Sequence, residues 1–188
     1  MPPPPDIETL SLTDIARLVE ERRLPPVEQW DPAHCGDSEM RIAADGTWFH
    51  QGSPIGRKEM VRLFSTILRH EPDGGFVLVT PVEKLSIEVE DAPFIAVEMT
   101  SEGEERDRRL AFRLNTGDLV MADAEHRLSV RGTEDEPRPY LHVRGGLEAL
   151  IARSVYYELA RIAIDEQTHP DEPPVLWSCG ERFALTPQ

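Results

Sequence analysis

A short basic segment before a predicted helix has the residue types that bind anions. A turn at 52–56 leads into the helix, and Arg57 and Lys58 fall in its first turn. Free N–H groups at a helix start donate to anions, whereas basic side chains there oppose the helix dipole by about 0.3–1 kcal/mol each. Arg57 and Lys58 therefore require compensation, either from a nearby acidic side chain or from a bound anion. The segment lacks the eight-residue Walker pattern of a nucleotide-binding loop.

A second polar segment, from Thr80 to Lys84, joins the helix-rich front of the chain to the strand-rich remainder. Glu83 and Lys84 border a strand with alternating apolar residues, and Asp91 lies in the turn after it. Two interpretations are open, because charged strand edges prevent misassociation and junctions between apolar units are common ligand sites. In an enzyme acting on a small anionic metabolite, Glu83 would be the general base and Arg57 the anion clamp.

The positions of the histidines and cysteines argue against a metal centre or a cysteine nucleophile. A structural zinc site needs four ligands in closely spaced pairs, and His34-Cys35 has no second pair nearby. Adjacent side chains in an extended segment point to opposite faces, so His34 and Cys35 would not meet. The acid-rich run 83–105 lacks the EF-hand spacing. We therefore expect no metal, no cofactor and no catalytic residue.

Three predicted helices and a series of short strands must position these residues. The helices are predicted at 11–23, 57–70 and 146–166; the second has a buried apolar face and carries Arg62 on its outer face. Asp45-Gly46 is a hairpin signal, and the return strand contains Trp48. From 76 to 143 the apolar residues mostly alternate, which predicts an antiparallel meander.

These elements predict an α+β fold of two domains, an N-terminal domain at 1–82 and a C-terminal domain at 83–188. The second domain would be an antiparallel sheet covered by the long helix 146–166, an outline that superficially resembles pleckstrin-homology-like domains. Aromatic-apolar-His triplets at 48–50 and 140–142 each precede a predicted helix and a later strand. Either an internal duplication or chance explains this weak repeat.

The charge balance excludes several classes of partner. The 188 residues include 35 acidic and 20 basic side chains, a net charge of −15, which repels nucleic acids and anionic membranes. A nucleic-acid partner would need a continuous basic stripe on helix 57–70, which Glu59 interrupts. No apolar run approaches the roughly 18 residues of a membrane span, and no secretory signal is visible at the N-terminus. A cytoplasmic protein with reduced thiols is expected.

A set of short motifs between residues 30 and 94 resembles the bacterial domain of unknown function family 1285. The motifs are Trp30-Asp31-Pro32, Cys35-Gly36-Asp37, Met40-Arg41-Ile42, Asp45-Gly46-Thr47-Trp48, Gly52-Ser53-Pro54-Ile55-Gly56-Arg57, Val61-Arg62-Leu63-Phe64-Ser65, Leu78-Val79-Thr80-Pro81-Val82-Glu83-Lys84 and Val89-Glu90-Asp91-Ala92-Pro93-Phe94. The resemblance implies a two-domain α+β fold with an internal duplication and a pleckstrin-homology-like C-terminal half. It implies no established activity, and a signalling or regulatory role with a partner or ligand near the domain interface.

The leading hypothesis is therefore a non-enzymatic binding or regulatory protein that recognises a small anionic ligand or another protein at the junction between its domains. An enzyme is the first alternative, and a structural interaction module with an exposed apolar patch and no cleft is the second. The recognition surface is predicted to have an aromatic wall and a polar and charged remainder: Trp48, Arg57, Arg62, Thr80, Glu83, Lys84 and Asp91.

Overall fold

The computed structural model describes residues 24–169 and 171–187. The predicted helix at 11–23 lies outside the described residues, as do the four successive prolines at 2–5. After a short 3-10 turn at Val27–Gln29, the first half contains β1 (His34–Ile42), β2 (Trp48–His50), β3 (Ser53–Pro54), α1 (Lys58–Thr66), β4 (Leu68–His70), β5 (Phe76–Val79) and β6 (Glu83–Val89).

The second half begins at residue 94 and ends in a short hairpin. Its elements are β7 (Phe94–Glu102), β8 (Arg109–Leu114), β9 (Leu119–Met121), β10 (Leu128–Gly132), β11 (Pro137–Arg144), β12 (Leu147–Ile151), α2 (Arg153–Asp165), β13 (Val175–Ser178) and β14 (Glu181–Ala184). None of the helices in the described ranges has the length and apolar character that crossing a membrane requires.

The strands form two six-stranded sheets with the same internal order. The first runs β3-β2-β1-β6-β5-β4 and the second runs β9-β8-β7-β12-β11-β10. In each sheet the two strands that come first and last in the chain pair in parallel at the centre, β1 with β6 and β7 with β12. The other pairs are antiparallel. The prediction of a purely antiparallel C-terminal sheet is thus wrong at β7 and β12, because alternation identifies strands but not their partners.

The change of sheet falls later in the chain than the predicted division after residue 82. Strand β6 belongs to the first sheet, where it pairs with β1 in parallel, Glu83 opposite His34 and Val89 opposite Ile42. The alternating residues of β6 resemble those of the strands that follow, so the local pattern favoured the second domain. The pairing partner lies almost fifty positions earlier in the chain.

Both predicted helices that the structure describes are shorter than expected. Helix α1 ends at Thr66, and Leu68, which fits the helical spacing, is fully buried in β4. Helix α2 begins at Arg153 instead of 146, because Leu147, Ala149 and Ile151 are buried at alternate positions of β12. In both cases a strand adjoins the helix, and its buried apolar residues continue the helical periodicity.

The predicted strand-helix-strand repeat is not what the two sheets share. The aromatic-apolar-His triplets fall on β2 and β11, which are the second strand of one sheet and the fifth of the other. Helix α1 lies between the third and fourth strands of its half, whereas α2 follows the sixth. The shared feature is the strand order.

A single large apolar core joins the two halves. Ile42, Trp48 and Leu68 of the first half belong to the same buried cluster as Phe94 and Phe112 of the second. The burial of apolar area is the main favourable term in folding, and here that area is continuous. The two halves therefore share one core, and both contribute residues to the surfaces between them.

Candidate functional site

A cleft of about 530 Å³ lies between the two halves. The turn between β1 and β2, the segment from β3 into α1, and residues of β7 and the β8–β9 turn surround it. Its size is within the range of small-molecule sites, about 300–1,000 Å³. The apolar side chains that line it are Trp48, Ile55, Val61, Val97 and Leu114.

The turn between β1 and β2 and the turn after β8 fix the position of one side of the cleft. The Asp45 carboxylate accepts from the Thr47 N–H at 2.9 Å, and this backbone hydrogen bond lowers the pKa of Asp45. Gly46 has a φ of 83°. The Asn115 side chain accepts from the Ile95 N–H at 3.1 Å and donates to the Gly46 carbonyl at 3.4 Å. Asn115 therefore connects the two sheets directly beside the cleft.

Trp48, which the sequence predicted as an aromatic wall, is among the residues that line the cleft. The side chain is only 1% exposed, and its ring stacks on Phe64 with centroids 6.4 Å apart. The Nε1–H is buried and has no hydrogen-bond acceptor within the described ranges. Because an unpaired buried donor costs about 1–3 kcal/mol, this group favours an acceptor that a ligand or a water molecule would supply.

Two basic side chains of α1 line the cleft. Lys58 and Arg62 are four residues apart, so they lie on one face of the helix. Neither forms an ion pair or a side-chain hydrogen bond with the part of the chain that the structure describes. The sequence predicts that either an acidic side chain or a bound anion compensates the basic residues at this helix start. The described residues provide no acidic partner for Lys58 or Arg62. A bound anion is the expectation that is left.

The remaining charges around the cleft are nearly balanced. The Arg113 Nε lies 3.0 Å from the Glu98 carboxylate, so Arg113 is neutralised by its neighbour. Glu59 is the one carboxylate among the residues that line the cleft in the described structure. Lys58 and Arg62 therefore leave the cleft with a local positive charge in a protein whose net charge is −15.

Arg57 is close to the cleft along the chain but does not line it. It is the N-cap residue of α1, with an exposed side chain and an extended backbone at φ −88° and ψ 105°. Its two neighbours, Gly56 and Lys58, both line the cleft. Of the seven predicted site residues, the structure thus places Trp48 and Arg62 on the cleft and Arg57 beside it.

Thr80 and Glu83 lie at the opposite end of the first sheet. Strand β6 begins at Glu83 and ends six residues later at Val89. Val89 pairs with Ile42, which also pairs with Trp48, so this end of β6 is the end nearest Trp48. At about 3.3 Å per residue this separates Glu83 from that end by about 20 Å. The Thr80 hydroxyl accepts from the Glu83 N–H at 3.2 Å. Both residues stabilise the turn before β6 and do not line the cleft.

Lys84 belongs to a separate ionic network that anchors the segment before β1. Its Nζ lies 3.5 Å from the Glu71 carboxylate, which also accepts from Arg69 at 2.6 Å. Burial raises the pKa of Glu71, but the two basic partners outweigh it and the net shift is downward. Arg69 in turn donates to the carbonyls of Val27 and Trp30. This network has a structural explanation that needs no ligand.

Asp91 connects the two sheets at a site away from the cleft. Its carboxylate accepts from Arg138 at 2.6 Å and from the Tyr140 hydroxyl at 2.8 Å. Burial and the neighbouring Asp91 carboxylate raise the pKa of Tyr140. Asp91 lies between β6 and β7, so these bonds fix the crossing from one sheet to the other.

We expect Asp91→Ala to lower the free energy of unfolding by about 1–3 kcal/mol, because it leaves the partly buried Tyr140 hydroxyl without its acceptor. Urea denaturation of both proteins measures this difference. Glu88→Ala on the exposed side of β6 is the matched control, with an expected change within about 0.5 kcal/mol. Equal midpoints for the two variants would show that the Asp91 contacts contribute nothing.

Sequence reasoning missed the side of the cleft that the second half provides. Val97 and Arg113 come from strands, and Asn115 from a turn, within a region that was identified only as a meander. Asn115 begins the turn between β8 and β9, and its side-chain bond to the Gly46 carbonyl depends on the docking of the halves. Lys58 was identified as an anion-binding residue, and it lines the cleft.

Comparisons with known proteins identify the family. The model of the N-terminal domain of the domain of unknown function DUF1285 matches residues 25–92, and that of its C-terminal domain matches 93–185. This chain belongs to the DUF1285 family. The sequence resemblance is confirmed, and the family division at residue 92 coincides with the change of sheet between β6 and β7.

Two solved DUF1285 structures are similar to this chain. One, from Silicibacter pomeroyi DSS-3, is 44% identical over 94% of this chain and 95% of its own, with a TM-score of 0.79. Another, from Shewanella baltica OS155, is 28% identical over 65% of this chain and 90% of its own, with a TM-score of 0.52. No curated protein matches. The comparisons therefore establish family and fold and name no activity.

Proposed function

We propose that this DUF1285 protein is a non-enzymatic binding module with a regulatory role, which holds a small anionic ligand in the cleft between its halves. The observation that carries the proposal is the pair Lys58 and Arg62. Both line a cleft with apolar walls, and both lack an acidic partner in the described structure. A cationic cleft in an acidic protein concentrates small anions locally.

The residues around the cleft favour binding over catalysis. A general base must reach the substrate by a hydrogen bond, and Glu83, the predicted base of the enzymatic alternative, is about 20 Å along β6 from the Trp48 end of the sheet. The described residues that line the cleft include no histidine and no cysteine, and Glu59, their one carboxylate, adjoins the cation Lys58. Ligand recognition needs only the charge, the shape and the apolar walls that are present.

The experiment is a thermal-shift screen of small organic acids against three proteins. The cleft variant is Lys58→Ala with Arg62→Ala, and the matched control is Arg153→Ala with Arg161→Ala, which removes two exposed basic residues from α2. We expect a ligand to stabilise the wild type and the control alike, and to bind the cleft variant at least about tenfold more weakly. Equal shifts in all three proteins would contradict the proposal.

The cleft variant should fold as well as the wild type. Lys58 lies at the positive end of the α1 dipole, so its removal is neutral or slightly stabilising, by about 0.3–1 kcal/mol. Alanine also has the highest helix propensity. A loss of the ligand-induced shift would therefore report the loss of binding and not the loss of structure.

The shared strand order supports an internal duplication in this chain. The six-stranded second sheet with α2 beside it supports a pleckstrin-homology-like outline, although its central pair is parallel. A superposition tests the duplication: the six strands of one sheet should fall on those of the other in order and direction, and a mirror-related arrangement would contradict it.

The cytoplasmic location is a further part of the proposal. Cys35 and Cys179 are free thiols with exposed side chains, which supports a reducing compartment. Cell fractionation tests it, and recovery of the protein with the secreted or periplasmic fraction would contradict it.

A further inference from the structure

The apolar lining of the cleft sets one requirement on the ligand, provided that the proposed function holds. Trp48, Ile55 and Val61 of the first half and Val97 and Leu114 of the second line the same cleft. Val97 is 38% exposed, one of the larger apolar side chains that the described fold leaves open to water. Ile55 and Val61 are half-buried, whereas Trp48 and Leu114 are already covered by the fold. An inorganic anion would leave Val97, Ile55 and Val61 in contact with water, whereas an apolar body of ring size would cover them.

The charge of the cleft sets a second requirement. Lys58 and Arg62 contribute two positive charges, Glu59 contributes one negative charge, and Arg113 is neutralised by Glu98. Among the described lining residues the remaining charge is thus about +1, which matches a monoanion better than a dianion or a neutral molecule. An anion near α1 also meets the free N–H groups of the helix start, a second source of positive potential.

The Trp48 Nε1–H sets a third requirement. Trp48 lines the cleft, is 99% buried, and its indole donor lacks an acceptor in the described part of the chain. An indole Nε1–H donates and never accepts. A ligand that satisfies it must carry an oxygen or nitrogen acceptor next to its apolar body.

We infer that the ligand of this cleft is an amphipathic organic monoanion: a carboxylate held by Lys58 and Arg62, with a flat apolar body between Trp48 and Val97 and an acceptor atom for the Trp48 Nε1–H. The inference deepens the proposed function by naming the ligand class. Each of its three parts rests on a different observation, and each has its own measurement.

Calorimetric titration with acetate, benzoate, 2-naphthoate, the methyl ester of 2-naphthoate and inorganic phosphate tests the class. We expect 2-naphthoate to bind at least about tenfold more tightly than acetate, because it buries more apolar area, and at least about tenfold more tightly than its neutral ester or phosphate. No binding by any carboxylate at millimolar concentration overturns the inference, as does phosphate binding equal to that of 2-naphthoate.

Two variants separate this inference from the proposed function. Val97→Ser should weaken 2-naphthoate about threefold and leave acetate unchanged, and Val82→Ser, at an exposed valine of the β5–β6 turn, is the matched control. If acetate and 2-naphthoate bind equally, depend on Lys58 and Arg62, and ignore Val97, the proposed function stands and the amphipathic class is wrong. If Lys58→Ala with Arg62→Ala leaves every affinity unchanged, the proposed function itself is wrong.

The hydrogen bond to Trp48 has a spectroscopic test. The indole ¹H–¹⁵N signal of Trp48 is assigned by its disappearance in Trp48→Phe. It should move downfield when 2-naphthoate is added, because a hydrogen bond to the new acceptor deshields the indole proton. The indole signals of Trp30 and Trp177 serve as internal controls and should stay in place. An unchanged Trp48 signal at saturation overturns this part of the inference.

Discussion

Replacing Arg144 with methionine should lower the free energy of unfolding by about 2–4 kcal/mol. Arg144 reaches from β11 into the first half, where its guanidinium donates to the carbonyls of Ser65 at 2.6 Å and Leu68 at 3.2 Å. Hydrogen bonds to charged groups contribute about 1.5–3 kcal/mol each, and the variant removes both. It also removes the positive charge at the negative end of the α1 dipole.

The environment of Arg144 explains why the loss should be large. Burial lowers the pKa of Arg144, partly offset by the charge of Glu28, so the cation is held mainly by backbone carbonyls. Its guanidinium carbon also lies 6.0 Å from the Phe94 ring centroid. Methionine retains the apolar stem and none of the donors, so the variant isolates the polar contribution.

Arg131→Met is the control for this measurement. Arg131 is an exposed arginine of β10 that pairs with Glu148, and exposed pairs contribute about 0–1 kcal/mol. Urea denaturation followed by far-UV circular dichroism gives both values. A loss at Arg144 no larger than that at Arg131 would show that the two halves are held together by the apolar core alone.

The second large effect is expected at Gly46, in the turn beside the cleft. Gly46→Ala should destabilise the protein by about 2–4 kcal/mol, because a non-glycine residue at φ 83° costs about 1–3 kcal/mol and the added Cβ meets a second obstacle. That atom would lie 2.6 Å from the Asn115 Nδ2 and 2.8 Å from the Ile95 Cγ1. Asn115 must then move, and its bonds to Gly46 and Ile95 are lost.

Gly74→Ala separates the two contributions. Gly74 has a similar φ of 89°, and nothing lies within 4 Å of its added Cβ, so its variant measures backbone strain alone. The difference in unfolding free energy between the two variants therefore reports the contact between the halves. Equal losses would indicate that Asn115 moves aside at no cost.

The parts of the site that sequence could predict are those encoded locally. A hairpin signal at Asp45-Gly46 placed Trp48 on a short strand, and a turn before an amphipathic segment placed Lys58 and Arg62 on a helix. All three line the cleft. The family resemblance also rests on short contiguous motifs, which explains why the family models confirm it.

The parts that sequence could not predict depend on pairing across long separations. Glu83 and Lys84 follow the apolar strand pattern of the meander, but β6 returns to pair with β1 and carries them to the far end of the first sheet. Asp91 likewise is a local turn residue whose role is decided by Arg138 and Tyr140, almost fifty residues later. The residue spacing within a single helix or strand predicts neither the pairing of β6 with β1 nor the contacts of Asp91 with Arg138 and Tyr140.

A crystallographic fragment screen tests the central claim most directly, because it requires no known ligand. Crystals of the wild-type protein would be soaked with a library of small aromatic and aliphatic fragments that includes acids, esters and amines. The account predicts that acidic fragments accumulate in the cleft, with the carboxylate at Lys58 and Arg62 and the ring between Trp48 and Val97. Acidic fragments that leave the cleft empty while they occupy other surfaces would contradict it.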